Sequence, residues 1–295
     1  MMQTDSAVFA DHASQHRVAI LENSQIAADT FRLRFGCPAI AEQVTPGQFL
    51  MLRLANWSDP LIGRPLAMYD TQTGKDGRPD SVDVVYIVGG KMTQRLARFQ
   101  VGEEIDVWGP LGNGFPPQIT DHLIMVAGGI GQTPFLALAK EHLGVQVFGL
   151  SPRQVRPVSR VTLCYGARSE ALLAGVNDFQ AAGVDVQIST DDGSAGRPGL
   201  VTDLLETILD RDATEHPKTK ARIVCCGPEP MMQAVAGIAA RRKVPAQVSL
   251  ETPMACGIGI CFTCVARVKD AHGESDFRRT CVEGPVFDAD RIEWN

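Results

Sequence analysis

Four cysteines near the C-terminus stand at a spacing that can do redox chemistry. They are Cys256, Cys261, Cys264 and Cys281, separated by four residues, then two, then a longer stretch. A [2Fe–2S] cluster requires four thiolates, and a four-then-two spacing with a distant fourth Cys is one of the patterns such clusters use. Gly257 and Gly259 fall inside the first interval. Glycine tolerates the unusual φ values of a loop wrapped round an inorganic cluster and lets amide N–H groups approach its sulfurs. A structural zinc site would more often use paired Cys-x-x-Cys units, and only Cys261 and Cys264 form one. Disulfides are disfavoured because nothing else points to export. Cys37, Cys164, Cys225 and Cys226 are scattered, mostly in apolar runs where a buried, inert thiol is the default.

A second chemistry-bearing stretch follows the apolar run His122–Ala127. It reads Gly128-Gly129-Ile130-Gly131-Gln132-Thr133-Pro134 and leads into the helical FLALAKEHL. Strand, glycine-rich turn and helix in that order offer unpaired N–H groups and a positive dipole end to a pyrophosphate. Thr133 is the expected N-cap and Pro134 the first helical residue. The Gly-x-Gly-x-x-Gly fingerprint is absent. Further strand and helix patterns alternate to about Arg242, which predicts a parallel sheet covered on both faces. Ligands of such sheets sit at the strands' C-terminal ends. The loops there are Gly128 to Thr133, Gly166 to Ser169, Thr190 to Gly193 and Gly227 to Pro230, and they hold Arg168, Asp191 and Asp192. Arg168 reads equally as a solvent-exposed charge or a nucleotide contact. The two aspartates read as turn formers or, through their acidity, as a lean toward NAD over NADP.

The elements ahead of these stretches differ in kind. From about His16 to Trp108, short alternating runs such as TFRLRF and SVDVVYIV are cut by turn residues, the pattern of an antiparallel barrel or sandwich. Gly90–Gln100 reads as a helix with Thr93 as its N-cap. Arg64 stands at a strand start before Pro65, Leu66 and Ala67, and Arg suits bidentate phosphate contact. Ile87, Gly89, Gly90 and Thr93 surround a glycine turn whose free N–H groups could hold a phosphate. GPLGNGF closes the barrel pattern.

With 295 residues the chain has room for two domains and an appendage. Hydrophobic residues at 44% and charged ones at 21% give an ordinary globular balance. A net charge of −6 argues against a general nucleic-acid binder. The first seventeen residues lack a secretory signal pattern and read as a short lead-in, and no apolar run is long enough to span a bilayer. A cytoplasmic protein is expected.

In this order the motifs resemble the ferredoxin–NADP reductase superfamily, and within it the electron-transfer subunits of class 1B (NAD-dependent) dihydroorotate dehydrogenase. The resemblance runs from about His16 to Phe287, and the tail from Cys256 to Phe287, with VEGPVF after the last cysteine, is its most specific part. It implies an antiparallel β-barrel FAD domain (14–115), a parallel-sheet NAD-binding domain (116–245) and a small C-terminal [2Fe–2S] subdomain (246–295). Arg64 to Ala67 would meet FAD, with Ala67 where a hydroxyl residue is usual. The loop from Ile87 to Thr93 would be the second FAD contact, with Met92 where a small residue is common. Gly128, Gly129, Gly131 and Thr133 match the nicotinamide loop. Cys226 and Gly227 would lie near the nicotinamide, and Glu251 also matches. No catalytic residue is expected, since the resemblance puts the pyrimidine chemistry in an FMN-containing catalytic subunit within a heterotetramer of two subunits of each kind. Alternatives are a flavin/iron–sulfur NAD(P)H reductase subunit of a hydrogenase or ferredoxin:NADP oxidoreductase complex, a free-standing reductase, and a zinc-stabilised binding module.

Overall fold

The structure, a computed structural model, describes residues 12–151 and 153–294. The expected lead-in falls largely on residues 1–11, outside that part, and the first strand begins at Ser14. Strands β1 (Ser14–Ala27), β2 (Thr30–Gly36), β3 (Phe49–Leu54), β4 (Arg64–Thr73), β5 (Pro79–Ile87) and β6 (Glu104–Leu111) close an antiparallel barrel in the order β1-β2-β5-β4-β3-β6. Period-two alternation explains why these residues do so. Leu33 and Phe35 on β2 point into the core, while Arg32 and Arg34 point outward to Glu22 at 3.0 Å and Asp83 at 2.6 Å on the neighbouring strands. Closure leaves no unpaired edge.

Two short helices belong to this half, α1 (Pro38–Ala41) and α2 (Lys91–Leu96). The second is shorter than expected and begins differently. Gly90, with φ −147° and ψ 177°, is the N-cap residue, and Thr93 is the third helical residue rather than the cap. The helix ends at Leu96, where Phe99 N–H closes a tight turn onto the Leu96 carbonyl.

The second half is a seven-stranded sheet. Its strands are β7 (His122–Gly128), β8 (Arg160–Ala167), β9 (Asp185–Thr190), β10 (Arg197–Pro198), β11 (Ala221–Cys226), β12 (Ala246–Ser249) and β15 (Val286–Asp288), in the order β10-β9-β8-β7-β11-β12-β15. Leu123, Met125 and Ala127 of β7 bury against α3 (Phe135–His142) and α4 (Val176–Ala181). Ile124 and Val126 face α5 (Val201–Glu215) and α6 (Glu229–Arg242) on the other side. A central strand covered on both faces must be apolar throughout, which is why HLIMVA does not alternate. Each fully buried aliphatic side chain there contributes roughly 1.5–3 kcal/mol. The sheet is parallel except at one edge, where β15 pairs antiparallel with β12. Antiparallel pairing needs no crossover, so the arm leaves β12 at Ser249 and returns beside it at Val286.

The C-terminal arm between β12 and β15 holds a two-stranded ribbon, β13 (Val265–Lys269) and β14 (Ser275–Arg279). Trp108 Nε1 of the barrel donates to the Cys256 carbonyl of this arm at 3.0 Å. The Asn113 side chain bonds the backbone of Glu283 and Val286, and Asn113 N–H donates to the Gly284 carbonyl. The barrel and sheet are joined by Tyr69 O–H donating to Asp178 at 2.8 Å and by Lys140 on Asp70 at 2.5 Å. No helix among the described residues is long and apolar enough to cross a membrane.

Candidate functional site

Two cavities abut at the seam between barrel and sheet. The smaller, about 450 Å³, is lined by Arg64, Pro65, Leu66 and Ala67 from the start of β4, by Ile87 and Thr93, and by Thr133 and Cys226 from the sheet side. The larger, about 620 Å³, lies over the C-terminal ends of β7, β8, β9 and β11, where it is lined by Gly128, Gly129, Arg168, Asp191 and Gly227. Ile87, Ile130 and Glu251 line both. Molecules held in the two cavities would therefore meet at these three residues.

The smaller cavity suits an anionic ligand at one point. Arg64 spends Nη1 on the carbonyls of Ile62 and Gly63, at 2.9 and 3.1 Å, and its other guanidinium nitrogens have no partner among the described residues. Free amides at Gly89 and Gly90 were expected beside it and are not found. Both N–H groups donate to the Thr93 hydroxyl, at 3.1 and 3.2 Å, because Thr93 sits one turn into the helix and reaches back. Thr93 itself, rather than the two glycines, lines the cavity.

In the larger cavity, the glycine-rich turn is a 3₁₀ helix, Gly129–Gln132. Thr133 closes that turn and Pro134 takes the cap position of α3, one residue later than expected, with no side-chain cap. Gly129, with φ +55°, has open space where a side chain would stand. Gly131 does different work and lines neither cavity. A Cβ there would lie 2.3 Å from the Cys226 carbonyl, so glycine lets the turn pack directly on the β11 end. Arg168 and Asp191 line the cavity, whereas Asp192 turns away and accepts from the Ser194 hydroxyl and N–H, as a turn former does.

Burial pushes the Cys226 thiol up, and the nearby Glu251 carboxylate adds to this, so Cys226 stays a neutral wall residue and not a nucleophile. Glu251 is exposed where the two cavities meet and has no hydrogen-bond donor among the described residues. The protein crowded round it raises its carboxyl above the usual range.

The four cysteines of the arm converge as two pairs. Cys261 is within hydrogen-bond reach of Cys256, and Cys264 of Cys281. Bonds from the Thr263 hydroxyl and backbone, then from Cys256, lower the Cys261 thiol to about 6. The Cys281 thiol lowers Cys264 to about 6, and Cys281 is raised in return. Among the described residues no three His, Cys, Asp or Glu side chains gather at a single-metal site. Four thiols gathered as two pairs are a donor set that would fit an iron–sulfur cluster. The loop fits the same need. Gly257, φ +74°, could carry no Cβ without meeting Met51 at 2.6 Å, and Phe262 is held left-handed at φ +56°. Arg279 pins this loop, donating to the Gly259 carbonyl at 3.0 Å and lying 5.2 Å over the Phe262 ring.

Comparison with known proteins follows the same three parts. Residues 17–115 match the oxidoreductase FAD-binding domain, residues 125–237 the oxidoreductase NAD-binding domain, and residues 251–293 the iron–sulfur cluster binding domain of dihydroorotate dehydrogenase B. The electron transfer subunit of dihydroorotate dehydrogenase B (NAD(+)) from Shouchella clausii is 35% identical over 277 residues, covering 92% of this chain and 96% of that one. The subunit of the same name from Bacillus caldolyticus is 34% identical, with 94% and 98% covered. This chain belongs to that family.

Like its family, it is an NAD-linked oxidoreductase subunit with FAD, NAD and iron–sulfur domains. A solved structure of an NADH-dependent reduced ferredoxin–NADP oxidoreductase, studied for flavin-based electron bifurcation, superposes with a TM-score of 0.74 at 28% identity. It covers 94% of this chain and 90% of that chain. Within this family member, Ser249, Thr252 and Met254 also line the smaller cavity, though sequence reasoning did not single them out. Their only sequence signal is that they adjoin Glu251 and Cys256.

Proposed function

We propose that this chain is the electron-transfer subunit of a dihydroorotate-oxidising enzyme of pyrimidine synthesis. Residues 14–115 would hold FAD, 116–245 would hold NAD, and 246–295 would hold a [2Fe–2S] cluster. Electrons taken from dihydroorotate by an FMN-carrying catalytic subunit enter through the arm and leave as hydride to NAD⁺. When bound, FAD supplies the exchange between one-electron and two-electron chemistry that a cluster and a nicotinamide each lack. This protein's residues position and separate.

Cys256 and Cys261 would ligate one iron, and Cys264 and Cys281 the other. Arg64 would hold phosphate oxygens of FAD, with Thr93 in the same cavity wall. The strand-end turn at Gly128 and Gly129 would take the pyrophosphate of NAD. Asp191, at the end of β9, suits a ribose hydroxyl and repels a phosphate, which favours NAD over NADP. Cys226 gives the sheet side of the flavin cavity an uncharged wall, which a nicotinamide reaching the flavin would meet, and Glu251 stands where the two ligands would meet. Ile258, Ile260 and Phe262, exposed by 39%, 74% and 63%, flank Cys261 and suit a partner subunit's apolar surface. Two copies of each subunit, in the cytoplasm, complete the reading.

The observation that carries it is continuity. The nucleotide cavity shares Ile87, Ile130 and Glu251 with the flavin cavity, and Phe49 lines the latter and belongs to the same buried cluster as Cys264 and Cys281. To test it, the tagged chain is purified anaerobically from its own host with whatever binds it, and assayed for dihydroorotate-dependent reduction of NAD⁺. Activity with a co-purifying FMN protein supports the reading. A coloured flavin and iron–sulfur protein without it would favour the second reading, a reductase subunit of a ferredoxin:NADP oxidoreductase complex, which the 28% identity to that structure supports. A colourless protein would sink both.

A further inference from the structure

The arm meets the smaller cavity through a polar contact in a largely apolar wall. Thr252, which lines that cavity, has its Oγ1 2.5 Å from Oγ1 of Thr280. Thr280 is fully buried beside Cys281, and both its hydroxyl and its N–H donate to the Cys264 carbonyl, at 3.0 and 2.7 Å. That bond fixes the direction of the other. The Thr280 proton is spent on Cys264, so Thr252 must donate to Thr280. A one-way chain of hydrogen bonds thus runs from the cavity wall to the backbone of a cysteine in the cluster loop. The neighbouring contact is apolar: Phe49 lines the cavity and belongs to the same buried cluster as Cys264, Cys281 and Val282. Two valines of the same shape would seal this wall as well, and replacing a buried hydrogen-bonded pair by apolar isosteres is nearly neutral for stability. Packing alone does not call for the hydroxyls.

We propose that the Thr252–Thr280 hydroxyl pair is the route by which electrons cross between the iron–sulfur cluster and the flavin. The proposal rests on the reading above, with the cluster on these cysteines and FAD in the smaller cavity. Each crossing moves one electron, oxidising the cluster and reducing the flavin by one. Two crossings, with one proton taken from solvent, make up the hydride that NAD⁺ accepts. Electronic coupling falls steeply across van der Waals gaps and less steeply through covalent bonds and short hydrogen bonds. From the Cys264 sulfur the route is covalent to the carbonyl and then crosses two hydrogen bonds to Thr252. The Phe49 route crosses van der Waals gaps on both sides of the ring.

The test uses the purified complex mixed anaerobically with NADH, which runs the wire backward and separates flavin bleaching from the later reduction of the cluster. Iron and flavin content and the midpoint potentials of both centres are measured on every variant. In Thr252→Val the cluster phase slows severalfold relative to the flavin phase, at unchanged potentials, and Thr252→Ser restores it. Phe49→Leu, which keeps both hydroxyls, slows the cluster phase less. An undiminished cluster phase in Thr252→Val at unchanged potentials would overturn the bridge, as would a larger effect from Phe49→Leu. Thr280→Val should match Thr252→Val; should it lose its iron, Thr252→Val still decides, because Thr252 adjoins no cluster cysteine. Wild-type complex lacking iron or flavin would instead overturn the underlying reading.

Discussion

The nucleotide end and the cluster end of this molecule are built on opposite principles. The turn from Gly128 to Gln132 sits at the end of β7, and all of its preceding strand from His122 to Ala127 is buried between two helical layers. Its geometry is set by a core that needs no ligand. The loop from Cys256 to Cys264 rests on a two-stranded ribbon in which Val268 alone is buried. Its supports are borrowed: Trp108, Met51 and Phe49 of the barrel, and Arg279 of β14. A lone two-stranded ribbon is marginal in water. The difference teaches that one site is shaped by the fold and the other is shaped jointly by the fold and what it binds.

The sharpest way to break that contrast is to remove the cluster. Cys264→Ser should abolish iron binding and dihydroorotate-linked electron transfer, while reduction of the flavin by NADH persists. Hydrogen exchange should then show residues 251–285 opening, with β7 and β11 still protected. Opening of β7 as well would erase the distinction between the two ends.

The next effect belongs to the sheet. His142 on α3 is fully buried with Nε2 unpartnered, and burial lowers it from 6.5 to about 4. The folded state keeps it neutral while the unfolded chain takes up a proton, so its stabilising contribution is intact above pH 6.5 and is lost as pH falls toward 4. That loss amounts to roughly 3 kcal/mol. Denaturant titration from pH 7 to 4 should show it, and His142→Gln should flatten the slope.

Gly131→Ala should cost about 2 kcal/mol, since its methyl meets the Cys226 carbonyl and an overpacked core must shift backbone. NADH affinity, read by titration, should weaken while the visible spectrum of the cluster stays unchanged. The smallest change is Tyr69→Phe, which removes the bond to Asp178 between barrel and sheet. It should cost about 1 kcal/mol in urea denaturation.

Much of this was legible in the chain. The two strand periodicities separate barrel from sheet, and the cysteine spacing points to a two-iron cluster, because these signals are carried by residues a few positions apart. The local errors have the same origin. Thr93 and Thr133 both look like N-caps, yet Gly90 supplies the extended backbone at one helix and a 3₁₀ turn occupies the approach to the other. A hydroxyl near a helix start cannot announce which residue of the turn it will serve.

By itself, then, the sequence determined the ligand types, their order along the chain and the kind of element that carries each. Tertiary structure alone decided what touches what. Cys256 pairs with Cys261 and Cys264 with Cys281; Glu251 stands in both cavities; Asp191 faces the nucleotide site and Asp192 does not. The contact between Thr252 and Thr280 joins residues 28 positions apart, and that between Trp108 and Cys256 spans 148. Spacing and periodicity report on neighbours along the chain. Contacts at such separations exist only once packed surfaces have repaid the entropy of bringing the segments together.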